Sequence, residues 1–167
     1  MKLLKLGLIS LVALFALATF IGALLPSQVL VSRATNIKAD PDSIMVQLRD
    51  IHQWKHWVEG MSDSSVHIQS SGKALIGRSQ VSITHIGDTV VVSEWITGSK
   101  SKQISTMQVI HQPTRQVTIV QWQFEQKVGW LPWEKLGTMM NDKILGPMME
   151  KNLEQLRNYL EAKTGKL

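Results

Sequence analysis

His52 and His56 are four residues apart in a stretch of helical character, Ile51 to Trp57. That spacing puts two imidazoles on one helix face, as a pair of metal ligands would need. Metal sites take three or four protein ligands. No Glu lies between the two histidines and no third ligand is indicated, so surface histidines are the expectation and no metal is assigned. Arg78, His85 and Glu94 fall on segments of alternating polarity. One of them facing a cavity would serve as a general acid or base. Alternation equally turns such residues to solvent, and a lone titratable group without its geometry identifies no catalytic residue. The chain has no cysteine, which excludes a thiol nucleophile, a zinc ribbon, an iron–sulfur centre and a disulfide scaffold. No cofactor is expected.

The large apolar side chains say more. Trp57, Trp95, Trp122 and Phe124 are bulky for a small core, and Met139, Met140, Met148 and Met149 cluster near the C-terminus. Methionine is flexible and polarizable and suits adaptable apolar surfaces. These eight residues are the candidate lining of a cavity for a hydrophobic ligand. Plain core packing uses the same residue types, and amphipathicity does not separate the two readings. Trp130 and Trp133 flank Pro132 in a loop. Indole rings favour the membrane–water interface. This pair is a candidate cavity mouth or membrane lip, with loop packing as the alternative.

The elements that would position these residues follow from periodicity. Val29 to Ile37 is rich in β-branched residues and reads as a strand. Asp40-Pro41-Asp42 marks a helix start, with Asp40 as N-cap and Pro41 at the first helical position. That helix carries Ile44, Met45 and Leu48, and a second short helical stretch covers Ile51 to Trp57. From Ser65 to Gln126 the period becomes two. The expected strands are Val66–Gln69, Leu75–His85, Thr89–Thr97, Lys102–Gln112 and Gln116–Gln126. Turns are expected at Ser71-Gly72, Gly87-Asp88, Gly98-Ser99 and Gln112-Pro113-Thr114. A helical stripe then runs Leu136, Met140, Leu145, Met149, Leu153, Leu156, Leu160, interrupted by Gly146-Pro147. Strands flanked by helices in this order imply an α+β domain, with the last helix packed on one side of an antiparallel sheet.

Lys2 and Lys5 precede an uncharged run of 20 residues, Leu6 to Leu25. As a helix it measures about 30 Å, the thickness of a bilayer's hydrocarbon core. It is apolar on all sides, unlike a typical core helix. A retained anchor is the expectation; a signal peptide cut after Ala16-Leu17-Ala18 is the alternative, and would leave an apolar new N-terminus. Residues 1–27 are thus read as anchor and short tether, and 28–167 as the domain. The positive-inside rule puts the N-terminus in the cytoplasm and the domain outside it, in the periplasm if the source is a Gram-negative bacterium. Net charge is +5 and the basic residues are scattered. Nucleic-acid binding calls for a basic stripe or arm, so it is not expected.

Three stretches resemble the START-like (SRPBCC) superfamily, and most closely its polyketide cyclase/dehydrase-like branch. They are Val31 to Pro41; Ile51-His52-Gln53-Trp54-Lys55-His56-Trp57; and Val120-Gln121-Trp122-Gln123-Phe124 followed by Ile144 to Pro147 and Leu153 to Leu156. The departures are Ile44-Met45, where a valine–aromatic pair is common, and Val58-Glu59, where a proline often follows the second tryptophan. The resemblance implies a helix-grip fold, a curved antiparallel sheet around a long C-terminal helix, with an apolar cavity between them. An N-terminal anchor before such a domain is a pattern of bacterial members. The superfamily has no shared catalytic motif, so no catalytic residue is carried over. Its iron oxygenases need a cysteine-containing Rieske domain, which is missing here. The leading expectation is a membrane-anchored domain that binds a lipid or other hydrophobic small molecule. The alternatives are a cyclase- or dehydratase-like enzyme and a protein-interaction module of the co-chaperone kind, with no protein partner identified.

Overall fold

The computed structural model describes residues 2–24, 27–98, 101–115, 117–129 and 141–164. The expected loop tryptophans Trp130 and Trp133, and Leu136, Met139 and Met140 of the helical stripe, lie outside the described residues.

Helix α1 (Lys2–Leu24) contains a 20-residue apolar stretch, Lys5–Leu24, that is long and apolar enough to cross a membrane and has almost no buried surface. A signal sequence near the N-terminus meets the same criteria of length and apolarity. Strand β1 (Gln28–Ile37) follows after residues 25–27. Next come α2 (Pro41–Leu48) and α3 (Ile51–Trp54), the strands β2 (Val66–Ser70), β3 (Lys73–Ile76), β4 (Ser79–Ile86), β5 (Val90–Thr97), β6 (Ser101–Gln112) and β7 (Val117–Lys127), and finally α4 (Asn141–Thr164).

The strands form one sheet in the order β1-β7-β6-β5-β4-β3-β2, antiparallel throughout. Consecutive strands from β2 to β7 are neighbours, as hairpins require, and β1 closes the order by pairing with β7. The curved sheet and the long C-terminal helix make a START-like, α+β helix-grip fold. The expected strand over Leu75–His85 is in fact two, β3 and β4, joined by Gly77-Arg78. Gly77 has φ +58°, which fits the first position of a two-residue hairpin turn, where glycine carries no Cβ penalty. The helix expected over Ile51–Trp57 is regular only to Trp54 and continues as turns.

Strand alternation sorts the sheet into two faces. On β7, Thr118, Val120, Trp122 and Phe124 are buried, while their odd-numbered neighbours are partly exposed. The register carries this face across the sheet: Val31 and Ser105 flank Phe124, Arg33 and Met107 flank Trp122, and Val91 pairs with Met107. Helices α2, α3 and α4 cover that face with Ile44, Leu48, Ile51, Trp54, Met149, Leu153, Leu156 and Leu160, all buried.

Helix α4 is fastened along β1. Asp142, Gly146 and Glu150 recur every four residues and so share a face. Arg33 donates to Asp142 Oδ1 at 2.9 Å and to Glu150 Oε1 at 2.6 Å, and its third nitrogen donates to the Ser32 carbonyl at 2.9 Å. Gly146 lies between the two acids, and a Cβ there would collide with the guanidinium. Its hydrogen bonds to the carboxylates of Glu150 and Asp142 raise the Arg33 pKa above its ordinary value. Further along, Glu161 Oε1 accepts from the Lys38 backbone N–H at 3.0 Å.

Candidate functional site

Four of the sequence candidates come together on the inner face of the sheet. Trp95, Trp122 and Phe124 project from β5 and β7, and Trp57 reaches them from the turns after α3. Their rings form a closed circuit with Trp54. Trp54 stacks on Trp95 at 6.3 Å between centroids, and Trp95 meets Phe124 edge-on at 5.7 Å. Phe124 lies 5.4 Å from Trp122, Trp122 meets Trp57 edge-on at 5.9 Å, and Trp57 returns to Trp54 at 6.1 Å. Offset and edge-on contacts at these distances are the favoured aromatic geometries. Buried rings of this kind hide roughly 150–250 Å² each. At about 25 cal/mol per Å² that is ~4–6 kcal/mol per ring on area alone, an upper bound.

The local sequence explains the placement. Asp50 caps α3, its carboxylate accepting from the His52 backbone N–H at 2.9 Å. Trp54 and Trp57 are three residues apart and so share one side of the turn. From α4, Asn152 Oδ1 accepts the Glu59 N–H at 2.9 Å, and Lys151 pairs with Glu59 Oε1 at 2.6 Å. The segment carrying Trp57 is thereby held to the grip helix.

The polar atoms of the circuit are not all equivalent. Trp54 donates to the Leu48 carbonyl at 3.0 Å, Trp95 to Ser93 Oγ at 3.1 Å, and Trp122 to Ser105 Oγ at 2.8 Å. Trp57 is 1% exposed, and its indole N–H has no hydrogen-bond partner among the described residues. A buried donor left unpaired is unusual in a folded protein. The other unmatched buried side-chain atom among the described residues is Gln47 Oε1 on α2.

The remaining candidates are placed elsewhere. Met149 is fully buried under the sheet, whereas its neighbour Met148 is 36% exposed. Successive helix positions differ by about 100°, so only one of the two can face the core. His85 and Arg78 are exposed. Glu94 lies on the opposite face of β5 from Ser93 and Trp95, and is paired with Lys102 at 2.8 Å. His52 is engaged by Asp50 Oδ1 at 2.8 Å, and His56 stacks on Tyr159 at 4.9 Å. Burial alone would raise the Asp50 carboxyl, but hydrogen bonds from the His52 backbone and ring outweigh it and hold the pKa below the ordinary value. No group of three metal-ligating side chains occurs among the described residues. An open cleft of about 570 Å³ between α2 and the β4–β5 hairpin, walled by Met45, Val46, Arg49 and Ile86, lies apart from the aromatic circuit.

Sequence reasoning did not include Trp54 among the candidates; its place three residues before Trp57 was the available signal. Ser93 and Ser105 were also missed. Ser93 stands two residues before Trp95 on the same strand face, a pairing visible in the sequence.

No family model matches the sequence, and no curated protein matches it significantly. The fold is shared by solved structures of low sequence identity. A START superfamily protein from Mycobacterium smegmatis matches 80% of this chain and 97% of its own, with a TM-score of 0.58 and 14% identity. A protein from Nitrosospira multiformis matches 81% of this chain and 99% of its own, with a TM-score of 0.61 and 10% identity. The di-domain ARO/CYC BexL of the BE-7585A biosynthetic pathway matches 81% of this chain over 50% of its own, with a TM-score of 0.61 and 10% identity.

Proposed function

We propose that this protein is a membrane-anchored binding domain for a hydrophobic small molecule, held between the sheet and the helices at the aromatic circuit. The single observation that carries the reading is that circuit, with a buried indole donor that has no acceptor among the described residues. The shared fold supports it, since the matching structures include a START superfamily protein and two di-domain ARO/CYC proteins of biosynthetic pathways. Binding comes from burying apolar surface, with few polar contacts to set orientation. The apolar N-terminal helix serves as a retained anchor, N-terminus in the cytoplasm and domain outside. Only residues 25–27 separate it from β1. At no more than about 3.6 Å per residue they keep the first strand within ~15 Å of the bilayer surface. A lipid or a compound dissolved in that bilayer is the ligand class this position suits.

The enzyme reading has less support, because Arg78 and His85 are exposed and Glu94 lies on the other face of the sheet in an ion pair.

The test is native mass spectrometry and solvent extraction of the full-length chain purified from its own membranes. The expected result is a stoichiometric hydrophobic adduct. An empty protein that also fails to take up an apolar fluorescent probe refutes ligand binding. Release of the chain from membranes by alkaline carbonate refutes the anchor.

A further inference from the structure

The link between α1 and the sheet is shorter than its residue count. The Val128 backbone N–H donates to the Ser27 carbonyl at 2.9 Å, which extends the β1–β7 ladder to Ser27. Residues 25 and 26 alone then bridge the sheet to Leu24, the end of the apolar stretch. At about 3.8 Å per Cα step, Ser27 lies within ~11 Å of Leu24. The headgroup layer on each side of the hydrocarbon core is roughly 5–8 Å deep. With α1 in the membrane, the start of β1 sits in or just above that layer, and so does Lys127, the partner of Gln28.

The register brings more of the sheet to the same level. Ser101 pairs with Thr97, Thr97 with Ser79 and Ser79 with Ile76, so the strand ends continue in one line from Lys127. The outer face at this end, turned away from the helices, has a shallow concavity of about 340 Å³ walled by Lys102, Ile104, Glu125 and Lys127. Both acids of this corner are engaged: Glu94 pairs with Lys102 at 2.8 Å, and Glu125 accepts from the Gln28 amide at 3.1 Å. Lys127 is exposed, and its ammonium has no acid partner among the described residues. Arg78, in the β3–β4 turn at the same end, is exposed as well. Among these cations stand apolar side chains open to solvent. Leu30, opposite Glu125, is 59% exposed, and Ile96, opposite Lys102, is 37% exposed. Lysine stems lie along apolar surface while their ammonium groups reach outward. Free cations set among exposed apolar groups match a headgroup layer, with phosphates above and the glycerol level beneath.

We propose that this corner of the outer sheet face is a seat on the bilayer, where Lys102 and Lys127 hold the phosphates of an anionic phospholipid surface and Leu30 and Ile96 rest at the glycerol level. This rests on the anchor reading above. The tether alone leaves the domain free to tilt about β1, and the seat fixes one orientation.

The chain has no cysteine, so a single introduced one takes a fluorophore uniquely. Gln80→Cys places it beside Ile96 at the seat. Thr114→Cys places it in the turn after β6, ~35 Å away along the strand. Each full-length variant is reconstituted in vesicles of phosphatidylcholine with about one third phosphatidylglycerol, and in phosphatidylcholine alone. A lipid spin-labelled on its headgroup serves as short-range quencher. In the anionic vesicles quenching at residue 80 should exceed that at residue 114 by roughly threefold or more, and the excess should shrink in phosphatidylcholine alone. A cation beside an anionic surface is worth about fivefold in binding, so adding Lys102→Gln and Lys127→Gln should lower the ratio of seated to free domain ~25-fold and remove the excess. Salt at about 0.5 M should reduce it with the lysines intact, which keeps the test open if the lysine variant does not fold. Equal quenching at the two positions, or an excess that neither the lysine changes nor salt reduces, overturns the seat while the anchor stands. Release of the chain from the vesicles by alkaline carbonate overturns the anchor, and the seat with it.

Discussion

Ser105→Ala tests whether the circuit is held by its polar contacts as well as by area. Ser105 is 1% exposed, and its Oγ accepts from Trp122 Nε1 at 2.8 Å. Removing the hydroxyl strands a second indole donor in the core. The cost of an unsatisfied buried donor is about 1–3 kcal/mol, and the lost oxygen adds only a small void. For a domain of this size each kcal/mol is worth roughly 3–4 °C, so the melting temperature should fall by ~3–12 °C. The control is Trp122→Phe, which removes the donor and keeps a ring. In that background Ser105→Ala has no hydrogen bond left to break and should cost less than about 0.5 kcal/mol. The double-mutant cycle is read by urea unfolding of the full-length chain in mild detergent, followed by near-ultraviolet circular dichroism of the tryptophans. A coupling energy above about 1 kcal/mol is expected. Equal costs of Ser105→Ala in both backgrounds would mean that the hydrogen bond contributes nothing, and the account of Trp57 as the one deficient donor would lose its basis.

Gln47→Met should raise stability by ~1 kcal/mol in the same urea assay, because it removes a buried acceptor that has no donor and keeps the volume. Asp50→Ala should cost ~1 kcal/mol near neutral pH through loss of the α3 cap. The Asp50 pKa is lowered in the folded state, so the wild-type advantage is present above the ordinary carboxylate range. It should disappear as pH falls through the lowered value, and a gap that persists in acid would contradict the cap assignment. Trp122→Ala should weaken uptake of an apolar fluorescent probe at least tenfold if the protein stays folded; unchanged affinity would show that Trp122 is not a wall of the site.

The sheet was legible because one face is buried. Val120, Trp122 and Phe124 against Gln121, Gln123 and Glu125 leave a single possible orientation of β7, and the register with β1 and β6 places the other inward residues. The break between β3 and β4 was not legible in the same way. A two-residue turn at Gly77-Arg78 interrupts a run of strand-like residues, and its only mark is the glycine whose φ is positive. Arg33 reads as an ordinary strand residue in the sequence. Its role depends on Asp142 and Glu150, more than a hundred residues away, which meet it only because α4 lies along β1 with Gly146 between them. Met148 and Met149 are alike in the sequence, and only the phase of the helix separates the exposed one from the buried one.

The same limit applied to the site itself. A tryptophan that fills a core and one that lines a cavity are identical in composition, period and burial, so neither the sequence nor the exposed area tells them apart. The difference lies in the one part of an indole that apolar packing cannot satisfy. In a core most such N–H groups are given an acceptor, as Trp54, Trp95 and Trp122 are by Leu48, Ser93 and Ser105. Trp57 is as deeply buried as Trp54 and lacks such an acceptor among the described residues.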